Sequence, residues 1–286
     1  MASDKDIEVK RPDILRNYKP SDFFKKDTKN KEKTFNVAVP KFSKDSTVLT
    51  LGSCFAHHVR NALSNLGFET NALVFYDDEI TTTLAMKEHF EWIVGDKELR
   101  TENVHERKGI VTLPRINNQL LEYKQKSLNT LINSSCVILT FGLSETWISP
   151  DNRSVWYWPG KDKTKAENLT FKVLSTFENY ENIKEIVKLI RSVNSMTSIV
   201  MTLSPIPLGA TFRKDCNINL ANCASKARIR SAIDEFIVEN NDEKVFYWPS
   251  YEYVTQYADP WEEDCRHVKP HVVEEIMKEF TERVTK

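Results

Sequence analysis

The run CVILTF at residues 136–141 has no regular polar–apolar alternation. A strand wetted on one face alternates, whereas a strand buried on both faces reads as a near-continuous apolar run. Such a segment belongs inside a sheet covered on both sides. Four more short runs share the character: TVLTL (47–51), NALVFY (71–76), TSIVMTLS (197–204) and KVFYWPS (244–250). Helical patterns separate them. After the first run, Phe55, Val59, Ala62, Leu63 and Leu66 fall on one helix face. ENYENIKEIVKLIRSVNSM (178–196) is amphipathic, a further helix is expected across 224–239, and Pro270 opens a last one in HVVEEIMKEFTERV. Strands alternating with helices predict an α/β fold, a mostly parallel sheet with helices on both faces. In such a sheet the ligand site lies beyond the carboxyl ends of the strands. GSC (52–54), GLSETW (142–147), SPIPLGATF (204–212) and PSYEY (249–253) each follow a strand, so all four are expected on one rim.

Composition narrows the function classes. With 40 Lys+Arg against 41 Asp+Glu, the net charge of −1 gives no electrostatic footprint for nucleic acid or an anionic membrane. No stretch approaches the run of roughly 18 apolar residues that a membrane-spanning helix needs, and the first twenty residues lack the apolar core of a signal peptide. The five cysteines form no CxxC pair and no zinc spacing. The expectation is a cytoplasmic protein without a metal. Residues 1–46, rich in Lys and Asp and interrupted by Pro12, Pro20 and Pro40, read as an arm packed on a single domain spanning 47–286. Neither GxGxxG nor GxxxxGK[ST] occurs, which counts against dinucleotide and nucleoside-triphosphate chemistry.

Several residues could carry chemistry. Ser53 and Cys54 sit at a strand-to-helix turn, where amide groups and the helix dipole favour negative charge and thiolate. The same positions suit a capping serine and a small buried cysteine. In DPWEEDCRHVKP (259–270), Asp264 and His267 are three residues apart, a spacing that suits a base and its orienting carboxylate as well as a solvated loop. Gly142, Ser144, Glu145 and Trp147 follow the buried 136–141 strand, and Ser204 closes the fourth run. Ser144 is either an oxyanion donor or a cap. Lys226 could meet an anionic ligand or lie on a solvated helix face. His58 points nearer the core than His57, and Trp156 with Trp158 would share one strand face, as a sugar-stacking platform or as core.

In order, LGSCFA, FGLSETW, LSPIPLGAT, ANCASKARIRSAI, FYWPSYE and DCRHV resemble the motifs of GSCFA-domain proteins, a family similar to the SGNH (GDSL-like) hydrolases. The resemblance covers roughly residues 34–270. It implies a flavodoxin-like three-layer α/β/α sandwich and an ester-active enzyme, either an esterase/deacylase or an O-acyltransferase acting on a carbohydrate. Gly52-Ser53-Cys54 overlays the G-D-S block, which puts Cys54 at the nucleophile with Ser53 in reserve. Asp264 and His267 match D-x-x-H as orienter and base. Ser144 stands where the pattern has asparagine, so the Cys54 amide, Ser144 and Asn71, the residue nearest the missing second-block glycine, are the implied oxyanion donors. Gly142, Glu145, Trp147, Ser204 and Lys226 would line the substrate. No cofactor is implied, apart from an acyl-CoA as donor in a transferase. A small molecule or glycan is the expected ligand. The competing reading is a glycan-binding or scaffold protein on the same fold.

Overall fold

The computed structural model describes residues 34–73, 80–99, 113–155, 168–257 and 259–285. Five strands, β1 (Thr47–Gly52), β2 (Glu69–Asn71), β3 (Cys136–Phe141), β7 (Ser198–Leu203) and β8 (Val245–Tyr247), pair in parallel in the order β2-β1-β3-β7-β8. Three short strands between β3 and β7 form a separate antiparallel sheet in the order β5-β4-β6: β4 (Glu145–Ile148), β5 (Ser154–Val155) and β6 (Thr170–Val173). The large sheet thus has the flavodoxin-like strand order, with its reversal between β1 and β3.

Helices cover both faces. Residues Leu49, Leu51, Val137, Leu139, Ile199 and Met201 face one core with α2 (Thr83–Val94), α4 (Thr176–Val193) and α5 (Ile218–Glu239). The intervening Val48, Cys136, Ile138 and Val200 face the other core with α1 (Cys54–Asn65), α6 (Ser250–Gln256) and α7 (Pro270–Val284). Helix α3 (Leu113–Ile132) precedes β3. The three-layer α/β/α sandwich expected from the apolar runs is present. The strands β1, β3, β7 and β8 fall where expected. Strand β2 ends at Asn71, before most of the 71–76 run, whose residues 74–76 lie outside the described residues.

The described part of the N-terminal arm, residues 34–46, packs on the second core. Phe35 is fully buried and stacks on Trp248 with ring centroids 4.6 Å apart, and Phe42 meets Phe68 edge-on at 6.1 Å. Burying an aromatic ring contributes about 2–3 kcal/mol. These two rings therefore fasten the segment across α7.

Candidate active site

The site begins at Gly52. Its φ of +137° lies outside the range that L side chains adopt, and a Cβ there would stand 2.1 Å from the Thr140 carbonyl oxygen. Only glycine lets β1 end this close to β3. Ser53 then donates its amide to the Thr140 oxygen at 3.1 Å and caps α1, its Oγ accepting from the Phe55 amide at 3.3 Å. Cys54 is the first residue of α1 and is half-buried. The turn therefore assigns the two neighbours different surroundings: the serine is buried as a cap, and the thiol stands over the helix N-terminus.

Residues 259–269 fold into a tight loop before α7. The Glu262 amide donates to the His267 carbonyl, and the Lys269 amide to that of Pro260, both at 2.8 Å. Asp264 Oδ1 accepts the amides of Arg266 and His267 at 2.9 Å, and its Oδ2 is bonded to His267 Nδ1. The two backbone amides and the imidazole hold the Asp264 carboxyl at a pKa of about 2. With Nδ1 held by the carboxylate, Nε2 is the ring nitrogen left for proton transfer. The imidazole lies 6.4 Å, centroid to centroid, from that of His58. His58 follows Cys54 by four residues in α1, one turn along the same helix face. The Asp264–His267 pair thus stands beside His58, one turn along α1 from Cys54. Burial, then the neighbouring His57 and His267, push the His58 pKa below its usual value, so it stays uncharged at neutral pH.

The other expected site residues divide. Ser144 is fully buried and its polar groups are engaged within the protein: its Oγ donates to the Ser225 carbonyl at 3.0 Å and accepts from Asn179, while its amide donates to Ser225 Oγ at 2.7 Å. Asn71 pairs in register with Leu49, three residues before Gly52, and lines a groove of about 620 Å³ with Thr47, Glu122 and Asn133, away from the site. Ser204 is buried, donating its amide to Phe141 and accepting from the Ile206 amide. Gly142 is also buried, and a Cβ on it would meet Ser53 Cβ at 3.3 Å and the Thr81 oxygen at 3.1 Å. It permits close approach of the β3–β4 connection to the Gly52–Cys54 turn.

Lys226 lies on neither a solvated face nor an open ligand surface. It is buried, and its Nζ donates to the carbonyls of Gly142, Ser204 and Ile206 at 2.9, 2.7 and 2.7 Å. Burial, with Arg266 nearby, pulls its pKa down to about 7. One ammonium thereby ties the ends of β3 and β7 together. Glu145 is also buried, accepting from Thr211 Oγ1 at 2.9 Å, and burial raises its pKa. Trp147 is half-exposed and meets Phe212 at 4.9 Å and Phe171 at 5.6 Å. Trp156 and Trp158 lie outside the described residues.

Ligand atoms of Glu262, Asp264 and His267 lie within 4.8 Å of one another, the spacing a divalent ion would accept. In this loop the Asp264 and His267 atoms are bonded to each other. Arg266, between them, is half-buried and lies against Gly209 in the connection after β7, a placement the D-x-x-H spacing alone does not mark.

The sheet order and this loop define a flavodoxin-ordered α/β protein with a hydrogen-bonded Asp264–His267 pair in the loop before its last helix. The chain belongs to the GSCFA family, whose model matches residues 47–280. No functionally curated protein matches it in sequence. Among solved structures it is similar to the salicylyl-acyltransferase SsfX3 from a tetracycline biosynthetic pathway, at 10% identity and a TM-score of 0.39, covering 85% of this chain and 55% of that one. It is also similar to the acetyl xylan esterase Est2A from the rumen bacterium Butyrivibrio proteoclasticus, at 13% identity and a TM-score of 0.39, covering 85% and 64%. The chain thus spans little more than half the length of SsfX3.

Among the described residues no helix is long and apolar enough to cross a membrane.

Proposed function

We propose that the protein is an ester-active enzyme, an esterase/deacylase or an O-acyltransferase on a carbohydrate, that works through an acyl-thioester at Cys54. The observation that carries the reading is the Asp264–His267 pair standing beside His58, one helical turn from Cys54. His267 Nε2 takes the thiol proton as Cys54 Sγ attacks the acyl carbonyl. The tetrahedral intermediate collapses, the C–O bond breaks, and the imidazolium returns the proton to the leaving alcohol. Water in a hydrolase, or a sugar hydroxyl in a transferase, then attacks the thioester with His267 again as base. In the transferase version the acyl group comes from an acyl-CoA: the bond broken in the first step is then C–S, and the imidazolium returns the proton to the departing CoA thiol. The Cys54 backbone amide is the oxyanion donor in this scheme, since the Phe55 amide is given to Ser53 Oγ and the Ser144 hydroxyl to the Ser225 carbonyl.

Incubating the protein with activated acyl esters and acyl-CoA, followed by mass spectrometry of the intact chain, is expected to place the adduct on Cys54. Cys54→Ala and His267→Ala should each lose at least 100-fold in turnover. Wild-type-like rates in both variants would sink the mechanism. One observation favours a second reading, a glycan-binding protein without turnover: Trp147, Phe171 and Phe212 form a partly exposed aromatic cluster near the rim. Glycan binding by the Cys54→Ala variant, with no adduct in the wild type, would select it.

A further inference from the structure

Arg266 projects from the loop that carries the Asp264–His267 pair, and its guanidinium rests on the connection that follows β7. A Cβ built on Gly209 would stand 3.3 Å from Arg266 Cζ, 3.4 Å from Nη2 and 3.6 Å from Nε. Three nearly equal distances place that point over the face of the guanidinium plane. The N–H edge is therefore turned away from the loop. No carboxylate and no hydrogen-bond acceptor engages that edge among the described residues, and Nε is buried without a partner. Lys226 lies close enough for Arg266 to help depress its pKa, while the Asp264 carboxylate accepts the Arg266 backbone amide and bonds His267 instead of the guanidinium.

Two cations together, one of them with a buried N–H left unbonded, are costly in an empty site. Desolvating a guanidinium without a counter-charge costs several kcal/mol unless an anion completes it. Other guanidinium groups among the described residues find carboxylates, as Arg191 does with Asp242, Arg213 with Asp215 and Arg230 with Glu252. Arg266 stands next in sequence to His267, and Lys226 holds the carbonyl of Gly142, which itself abuts Ser53. Arg266 thus joins the loop that carries His267 to the connection after β7, the same connection whose Ser204 and Ile206 carbonyls Lys226 holds.

We propose that Arg266, with Lys226 behind it, forms an anion subsite beside His267 that takes a carboxylate or phosphate carried by the ester substrate. The inference rests on the ester-active reading for the word substrate, and on geometry alone for the anion. A planar fork of N–H donors matches both groups bidentately. The lysine contributes charge from below while its own donors stay on the three carbonyls.

The test compares three esters in wild type, Arg266→Met and Arg266→Lys: 4-nitrophenyl acetate, 4-nitrophenyl hemisuccinate and 4-acetoxyphenyl phosphate. They carry no anion, a carboxylate on the acyl side and a phosphate on the alcohol side. The expected result is that Arg266→Met lowers kcat/KM for one of the two anionic esters about 10- to 100-fold more than for the neutral one. Arg266→Lys should recover part of that difference. Which ester responds identifies the side of the scissile bond that bears the charge. An equal loss on all three esters would overturn the subsite and put the guanidinium on the oxyanion. A second measurement needs no turnover: calorimetric titration of the Cys54→Ala variant with succinate and with inorganic phosphate. Binding lost in Cys54→Ala/Arg266→Met, with unchanged circular dichroism, supports the subsite even if no ester is cleaved by the wild type. Absence of binding of either anion to Cys54→Ala, together with an unaltered ester ratio, overturns it.

Discussion

Replacing Gly52 by alanine tests whether the close approach of β1 to β3 builds the nucleophile turn. The added Cβ would start 2.1 Å from the Thr140 carbonyl oxygen and 2.8 Å from its carbon, at a φ of +137°. Ordinary contact lies beyond about 3.2 Å, so roughly 1 Å of movement is required. The neighbour is backbone held in register with Gly52, and it cannot rotate away as a side chain does. Moving it also breaks the bond from the Ser53 amide to the same oxygen. The conformational strain costs about 1–3 kcal/mol, and a buried carbonyl left without its donor a further 1–3 kcal/mol or so. A destabilisation of about 2–6 kcal/mol follows, or a fall in Tm of roughly 4–24 °C for a domain of this size. Thermal unfolding followed by circular dichroism reads it directly. Gly67 supplies the control: its φ of +88° is strained for alanine, but nothing lies within 4 Å of a Cβ there. Gly67→Ala should cost only about 1 kcal/mol. If the two variants unfold within about 1 kcal/mol of each other, the close approach does not hold the turn, and the reasoning fails.

Two further outcomes separate structural from chemical roles. Ser144→Ala deprives the Ser225 carbonyl and Asn179 of a buried partner and should destabilise the fold by about 1–3 kcal/mol in urea titrations. If Ser144 were an oxyanion donor, the same change would instead lower kcat by at least about 100-fold with little loss of stability. Asp264 has its carboxyl pKa depressed from 3.8 to about 2, so its contribution to stability is complete above pH 3.8 and is lost as pH falls toward 2. Stability measured from pH 5 to pH 2 should therefore fall less steeply in Asp264→Asn than in the wild type; parallel profiles would contradict the hydrogen-bonding seen at this carboxylate.

The sheet was legible in the sequence because burial on both faces leaves an unmistakable mark: the 136–141 run is β3, end to end. Helix α2 carries no comparable mark. It is buried through Thr83, Ala85, Met86, Glu88, His89, Phe90, Trp92 and Ile93, nearly all round, so the one-sided period that announces a surface helix is missing. Helix α5 begins at Ile218, six residues before the expected start, because its first turn exposes Ile218 and Leu220 and is fixed by the Asn217 cap. At the site, residues close in sequence were read well: Ser53 as cap, and Asp264 as partner of His267. Ser144 and Lys226 were not, since each is defined by groups 20 to 84 residues away. Residue type and spacing report which groups are available, while the direction of a side chain depends on what the rest of the fold places around it.

The connection after β7 has a kinetic meaning. Residues 204–217 are pinned at Ser204 and Ile206 by Lys226, at Leu208 by the Asn222 side chain, and at Thr211 by Glu145. A segment fastened at this density does not swing between open and closed states during a turnover. Association at this edge of the rim should accordingly be a single second-order step, linear in ligand concentration, without the saturating phase that a gate imposes.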